Sequence, residues 1–323
     1  FPSLVLGGNP YGATDAPLDP GSGGGNEAVS RGGYGGGAVR IEASENVLID
    51  GTVTANGGNG VKAGNGSGGG GSGGAIYITC AAFGGTNGIL QANGGNAGDM
   101  SQAAGGGGGR IAVNYASLIG APIVRYSANC GTGKSTLGAS GLVDCTTPQP
   151  QAGTLSFINS TLLDSLFATW TGVAAGLNGY VYFQSTNTWV PNILVLSNST
   201  LGIPDGSLWQ FTNDLTVTTG SVVVARHATL ACGGNLTLTN GASLVAYGGI
   251  TNETYTTSYG TLVGVTNTLA VGSNCWVHPF SDSTNGGSVL FRVGNLAIRR
   301  GGGINANGRG YARQTGQGQG ING

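Results

Sequence analysis

The chain has 323 residues, 67 of them glycine, with 12 basic against 13 acidic side chains and only 8% charged residues overall. A net charge near zero leaves no electrostatic footprint for nucleic acid or an anionic membrane, and glycine at about three times its usual ~7%, without a strict every-third-residue pattern, excludes collagen. The abundance of Val, Ile, Thr and Tyr excludes a disordered chain, and no apolar run approaches the ~20 residues of a membrane-spanning helix.

The sequence opens on a short apolar segment, Phe1-Pro2-Ser3-Leu4-Val5-Leu6, suited to docking against another surface. A first residue other than Met, with no basic-then-apolar leader behind it, points to a processed or excised product that is secreted. Asp19-Pro20-Gly21-Ser22 and further glycines lead into Gly37-Ala38-Val39-Arg40-Ile41, whose alternation predicts a strand with one buried face. This module is duplicated. Thr52-Val53-Thr54-Ala55-Asn56-Gly57 returns as Ile89-Leu90-Gln91-Ala92-Asn93-Gly94, and Val39 returns as Ile76, each 37 residues on.

After each copy comes a glycine-rich stretch and then a strand-like segment, Gly74–Ile78 and Gly109–Val113. The glycine runs at 68–71 and 105–109 have three readings: flexible linkers, closely packed loops, or neighbouring polyglycine II segments bonded side by side. Matching strand phrases on both sides favour ordered, closely packed excursions.

Ala128-Asn129-Cys130-Gly131-Thr132-Gly133-Lys134-Ser135 follows the strand-like Pro122–Tyr126 and loosely matches a phosphate loop. Gly138, Ser140 and Gly141 deny it the helix such a loop needs, so a surface loop clipped by Cys130 and Cys145 is the better reading. Closing a loop of about 15 residues is worth roughly 3 kcal/mol in the chain-entropy model. Cys80, Cys232 and Cys275 then read as buried thiols, with an intermolecular bridge as the sharper alternative.

From about residue 150 glycine thins. Leu162–Trp170 is the best helical candidate, a local cap or crossover. A second phrase, Leu-x-(Val/Leu/Ile), recurs at Leu194-Val195-Leu196, Leu215-Thr216-Val217, Leu236-Thr237-Leu238, Leu269-Ala270-Val271 and Leu296-Ala297-Ile298, at steps of 21, 21, 33 and 27 residues. A constant strand phrase with variable insertions marks a coil whose turns stack while loops of different length leave one corner. Near the end, Gly303-Ile304-Asn305-Ala306-Asn307-Gly308 restates the Ala-Asn-Gly phrase without completing its module.

These features predict an all-β fold, a parallel, right-handed β-helix or β-solenoid with glycine-rich loops. Residues 1–150 form its glycine-rich part, 151–300 its glycine-poor turns, and 301–323 the start of a glycine-rich module that residues 1–43 of a neighbouring unit continue. The segments Gly35–Ala43, Gly73–Ile78, Gly107–Val113 and Gly286–Leu296 resemble the glycine-rich β-helix repeats of very large secreted surface proteins from environmental bacteria. That resemblance implies an extracellular or cell-surface protein with a repetitive, structural or adhesive role.

Candidate chemistry is sparse. Glu42 and Glu45 leave one strand, and Asp205 and Asp214 lie a short loop apart, without the paired carboxylates or acidic calcium cluster of a sugar-cleaving β-helix. Gly94–Asp99 approaches a glycine-rich calcium nonapeptide, but Ala97 stands where a glycine is required. His227 and His278 lie far apart and support neither zinc nor a nucleophile triad. Trp170, Trp189, Trp209 and Trp276 could form a sugar-binding stripe, although core packing is the commoner use.

No catalytic, cofactor or metal residue is assigned. The expected protein is a non-enzymatic structural one whose units stack head to tail into a filament or sheath. Its partners would be copies of itself, with glycans as a second class, and neither nucleic acid nor a membrane span. Phe1, Leu4, Val5, Leu6, Ile304, Tyr311 and Ile321 are the candidate junction residues. A polysaccharide lyase or hydrolase and a carbohydrate-binding adhesin fibre are the alternatives.

Overall fold

The computed structural model describes residues 11–27, 29–99, 103–133, 152–164, 173–175, 177–191, 194–197, 199–311 and 316. Among these, strands dominate, and the only helix is a single turn at residues 161–164, which overlaps the start of the predicted Leu162–Trp170 segment. The chain forms two compact units, Phe1–Leu162 with Asn178–Gln184, and Leu163–Leu177 with Ser185–Gly323.

The strands in chain order begin with β1 (Ala38–Leu48), β2 (Thr52–Thr54), β3 (Lys62–Ala63), β4 (Gly66–Ser67), β5 (Ala75–Gly84), β6 (Gly88–Gln91), β7 (Arg110–Leu118) and β8 (Val124–Ser127). There follow β9 (Thr154–Phe157), β10 (Val173–Ala175), β11 (Leu177–Phe183), β12 (Thr188–Trp189), β13 (Leu194–Ser197), β14 (Ser199–Ile203), β15 (Leu208–Phe211) and β16 (Leu215–Val217). The last are β17 (Gly220–Val224), β18 (Thr229–Cys232), β19 (Leu236–Leu238), β20 (Ser243–Tyr247), β21 (Thr261–Val271), β22 (Trp276–Phe280), β23 (Val289–Ile298) and β24 (Gly303–Ile304).

In the first unit, β1, β5, β7, β9 and β11 form one parallel ladder and β2, β6 and β8 another. The 37-residue duplication sets their register, since Val39 pairs with Ile76 and Val53 with Leu90. Apolar positions therefore fall into columns. Val39, Ile76, Ile111, Leu155 and Val181 are successive neighbours, as are Ile41, Ile78, Val113, Phe157 and Phe183. Each fully buried aliphatic side chain in such a column contributes about 1.5–3 kcal/mol.

The glycine runs build a second kind of order. From Gly68 to Gly74, amides 68, 71 and 74 donate to the carbonyls of Val61, Gly58 and Ala55; amides 69 and 72 to Gly25 and Ser22; amides 70 and 73 to Ala104 and Gly107. A period of three with no bonds inside the segment is the polyproline II geometry, which turns every third amide toward the same neighbour. Of the three readings of these runs, lateral bonding between segments is the one found, and it makes the excursions ordered. Glycine is required because the segments touch backbone to backbone. A Cβ on Gly70 would fall on the carbonyl oxygen of Gly95, and one on Gly71 on that of Tyr34.

In the second unit all five Leu-x-(Val/Leu/Ile) phrases lie side by side, parallel and in register, in β13, β16, β19, β21 and β23. A parallel ladder β12, β15, β18 joins this one at β21, which pairs with β18 along its first half and with β19 along its second. β14, β17, β20, β22 and β24 form a third ladder. Side-chain columns fill this unit: Leu196, Val217, Leu238 and Val271 are stacked and fully buried, as are Leu201, Val222, Leu244 and Val277. Trp189 and Trp209 head another column, their rings edge to face at 4.7 Å.

Candidate functional site

The charged and polar groups singled out from the sequence are mostly spent on tying one strand layer to the next. Asp214 accepts the amide of Asn235 at 2.6 Å, 21 residues on, and Asp50 accepts the amide of Thr86 at 2.6 Å. Lys62 pairs with Asp99, so the carboxylate of the calcium-like phrase is held by an ammonium. Glu42 is paired with Arg40 two residues away on the outer face of β1, and Glu45 is exposed in the bend of that strand. Asp205 lies 3.3 Å from His227 Nδ1, while His227 Nε2 faces the carbonyl of Ile250 at 3.1 Å and the ring stacks on Tyr255 at 3.7 Å. Among the described residues no three His, Cys, Asp or Glu side chains are grouped to hold a metal ion.

Asparagine carries the same role further. Asn56 Oδ1 accepts the amide of Asn93 at 2.8 Å, and Asn93 Oδ1 accepts that of Asn129 at 2.9 Å. A parallel series runs from Asn59 to Asn96 and from Asn96 to Thr132. Ala128-Asn129-Cys130-Gly131 is thus the third rung of the Ala-Asn-Gly ladder, and the phosphate-loop likeness is incidental to it. Its signal was in the sequence, because Tyr126-Ser127-Ala128-Asn129 stands 36 residues beyond Leu90-Gln91-Ala92-Asn93. Lys134, Ser135 and Cys145 lie outside the described residues.

Cys130 is disulfide-bonded, while Cys80, Cys232 and Cys275 are free and buried. Burial pushes the Cys80 and Cys232 thiols up, so neither is a ready thiolate. Trp189 and Trp209 belong to the core, and Trp276 is exposed; Trp170 lies outside the described residues.

Two places remain unfinished in a way that bears on function. Among the described residues β1 pairs only with β5, and β23 only with β21. In the second unit each apolar column ends half-open at its last strand. The column through Val271 ends on Ile298, 45% exposed; its neighbour on Leu296, 50% exposed; and that through Val277 on Ile304, 39% exposed. At the other edge strand, Val39 and Ile41 are half-buried where their partners Ile76 and Ile78 are fully buried. Tyr311 is exposed and donates its hydroxyl to the carbonyl of Asn285, while Phe1, Leu4, Val5, Leu6 and Ile321 lie outside the described residues.

On the outer face beside the β23 edge runs a shallow groove of about 430 Å³. Gln210, Ala231, Gly264 and Arg292 stand in register across it, so small residues form its floor and Arg292 closes it at the edge strand. Comparison with family models, with curated proteins and with solved structures gives no match to this chain. No helix among the described residues is long and apolar enough to cross a membrane.

Proposed function

We propose that this chain is an extracellular structural protein, a β-solenoid whose units stack head to tail into a filament or sheath. The observation that carries the proposal is the half-open last layer of the second unit, where Leu296, Ile298 and Ile304 follow the fully buried Leu269, Val271 and Val277 in their columns. An open parallel edge with apolar side chains on its core face is a template for a further strand. Supplying that strand from another copy of the same chain gives a heterologous contact, which propagates without closing.

The mechanism is mechanical. Backbone ladders and apolar columns would run through each joint, so load is shared over many hydrogen bonds. The sparse charge supports the same reading, since surfaces of low charge do not repel their copies. Light scattering and negative-stain electron microscopy of the purified chain over a concentration series test it. Linear, unbranched assemblies that lengthen with concentration are expected; strictly monomeric particles at all concentrations overturn it.

A further inference from the structure

We propose a specific joint: β1 of a second copy adds to the edge of β23 that is unpaired among the described residues, with Phe291 opposite Ile41 and Arg292 opposite Glu42. The inference rests on the head-to-tail stacking proposed above and names the surfaces and register that accomplish it.

The register follows from how apolar residues are spaced around a bend. In β21 the core-facing residues are Thr261, Val263 and Val265, then, past the bend, Leu269 and Val271. β1, with Ile49 just past its end, repeats this spacing without a gap as Val39, Ile41, Ala43, Val47 and Ile49. In β23 the bend is one residue shorter, giving Val289, Phe291, Val293, Leu296 and Ile298. β21 and β23 accommodate the difference by a register shift between Val265 and Thr268. The pair formed by β1 and β5 carries the same shift, between Ala43 and Asn46. A short-bend strand beside a long-bend strand is therefore a pairing the fold already makes twice, each time with the long bend first. Setting β1 on β23 brings the same two bend lengths together with the order reversed, and places Val289, Phe291 and Val293 on Val39, Ile41 and Ala43, and Leu296 and Ile298 on Val47 and Ile49.

The charges on the outer face select the same register. Glu42 and Arg40 are paired on exposed β1, and Arg292 stands exposed on β23. With Phe291 on Ile41, Arg292 faces Glu42 directly, and Leu290 faces Arg40. The competing register, which aligns the similar phrases Phe291-Arg292-Val293 and Val39-Arg40-Ile41, sets Arg292 against Arg40. Like charges directly opposite on adjacent strands are destabilising, and that register also leaves the residues beyond the bend out of step.

Charge reversal and cross-linking in the full chain test the joint. Glu42→Arg or Arg292→Glu alone should raise the concentration needed for half-assembly about tenfold or more, and the double variant should return it to within about threefold of the parent. Under mild oxidation, Phe291→Cys with Ile41→Cys should give a ladder of covalent multimers. Neighbouring strands ~4.8 Å apart bring directly opposed Cα atoms within disulfide range. Phe291→Cys with Val39→Cys should give none. Assembly of the parent chain without rescue by the double variant, or with cross-linking of the Val39 pair instead, overturns this register while leaving stacking intact. A parent chain that never assembles overturns both.

Discussion

The glycine segments of the first unit are held by what their side chains lack, the leucine phrases of the second by what their side chains fill. Between Gly68 and Gly74 the backbone meets three sets of neighbours through amides spaced three apart, and a single added carbon would strike a carbonyl oxygen. Between β13 and β23 the same regularity comes from leucine and valine columns at successive strands. Repetition of layers can thus be secured either by removing every obstacle to backbone contact or by presenting one side chain of constant size at each step. The two solutions fail in opposite directions.

The largest effect should come from adding to the first unit. Gly71→Ala places its methyl on the Tyr34 carbonyl, backbone against backbone with no flexible side chain to yield, and should destabilise by about 4–5 kcal/mol. Amide exchange followed by mass spectrometry should show protection lost across residues 55–74 while the peptides of β16–β19 keep theirs. Comparable loss in both would break the contrast. Removing from the second unit is the mirror experiment. Leu238→Ala opens a cavity in a fully buried column and should cost about 2–5 kcal/mol in denaturant unfolding, whereas enlarging the half-buried Gly264, where a Cβ meets nothing, should be nearly silent.

Much of this was legible in the residues. The Leu-x-(Val/Leu/Ile) phrases gave the correct partners for five strands despite steps from 21 to 33 residues, because strand alternation fixes which side chain faces inward and insertions leave the phrase itself untouched. The duplication at 37 residues likewise gave the register of β1 with β5. The rung at Ala128–Gly131 is masked in the sequence because Cys130 replaces the glycine of the phrase and Lys134 gives the segment the look of a phosphate loop. The three-residue bonding period could not be read, since a run of identical glycines has no side-chain phase to betray its pitch. The edge at β23 is not legible in the sequence, for β23 carries the same alternation of apolar residues as β21; among the residues expected at a junction, Ile304 and Tyr311 are exposed, and the edge adds Leu296 and Ile298.

Two smaller effects sharpen the comparison at the level of single polar groups. Asn93→Ala removes the acceptor of both the Asn129 amide and the Ser127 hydroxyl, and should cost about 1–3 kcal/mol, read as a lower denaturant midpoint. The corresponding group in the second unit is charged. Burial pushes the Asp282 carboxyl up, but the Thr284 hydroxyl, the amides of Asn285 and Thr284 and the nearby Arg226 outweigh it and hold the group below the usual carboxylate range. Its stabilisation is therefore present above the ordinary carboxylate pKa and lost as pH falls through the depressed folded value. Asp282→Asn should flatten the acid limb of a stability-against-pH curve and leave the neutral-to-alkaline part parallel to the parent; an unchanged acid limb would show that other carboxylates govern it.

The period of three in the glycine segment separates neighbours in sequence from neighbours in fate. Gly68, Gly69 and Gly70 are consecutive, yet their amides are guarded by three different stretches of chain, near residues 61, 25 and 104. Peeling away any one of those stretches would expose every third amide and leave the two between them closed. A segment wired in this way has no single weak side, and a tear along one seam stops at a chain still held by the other two.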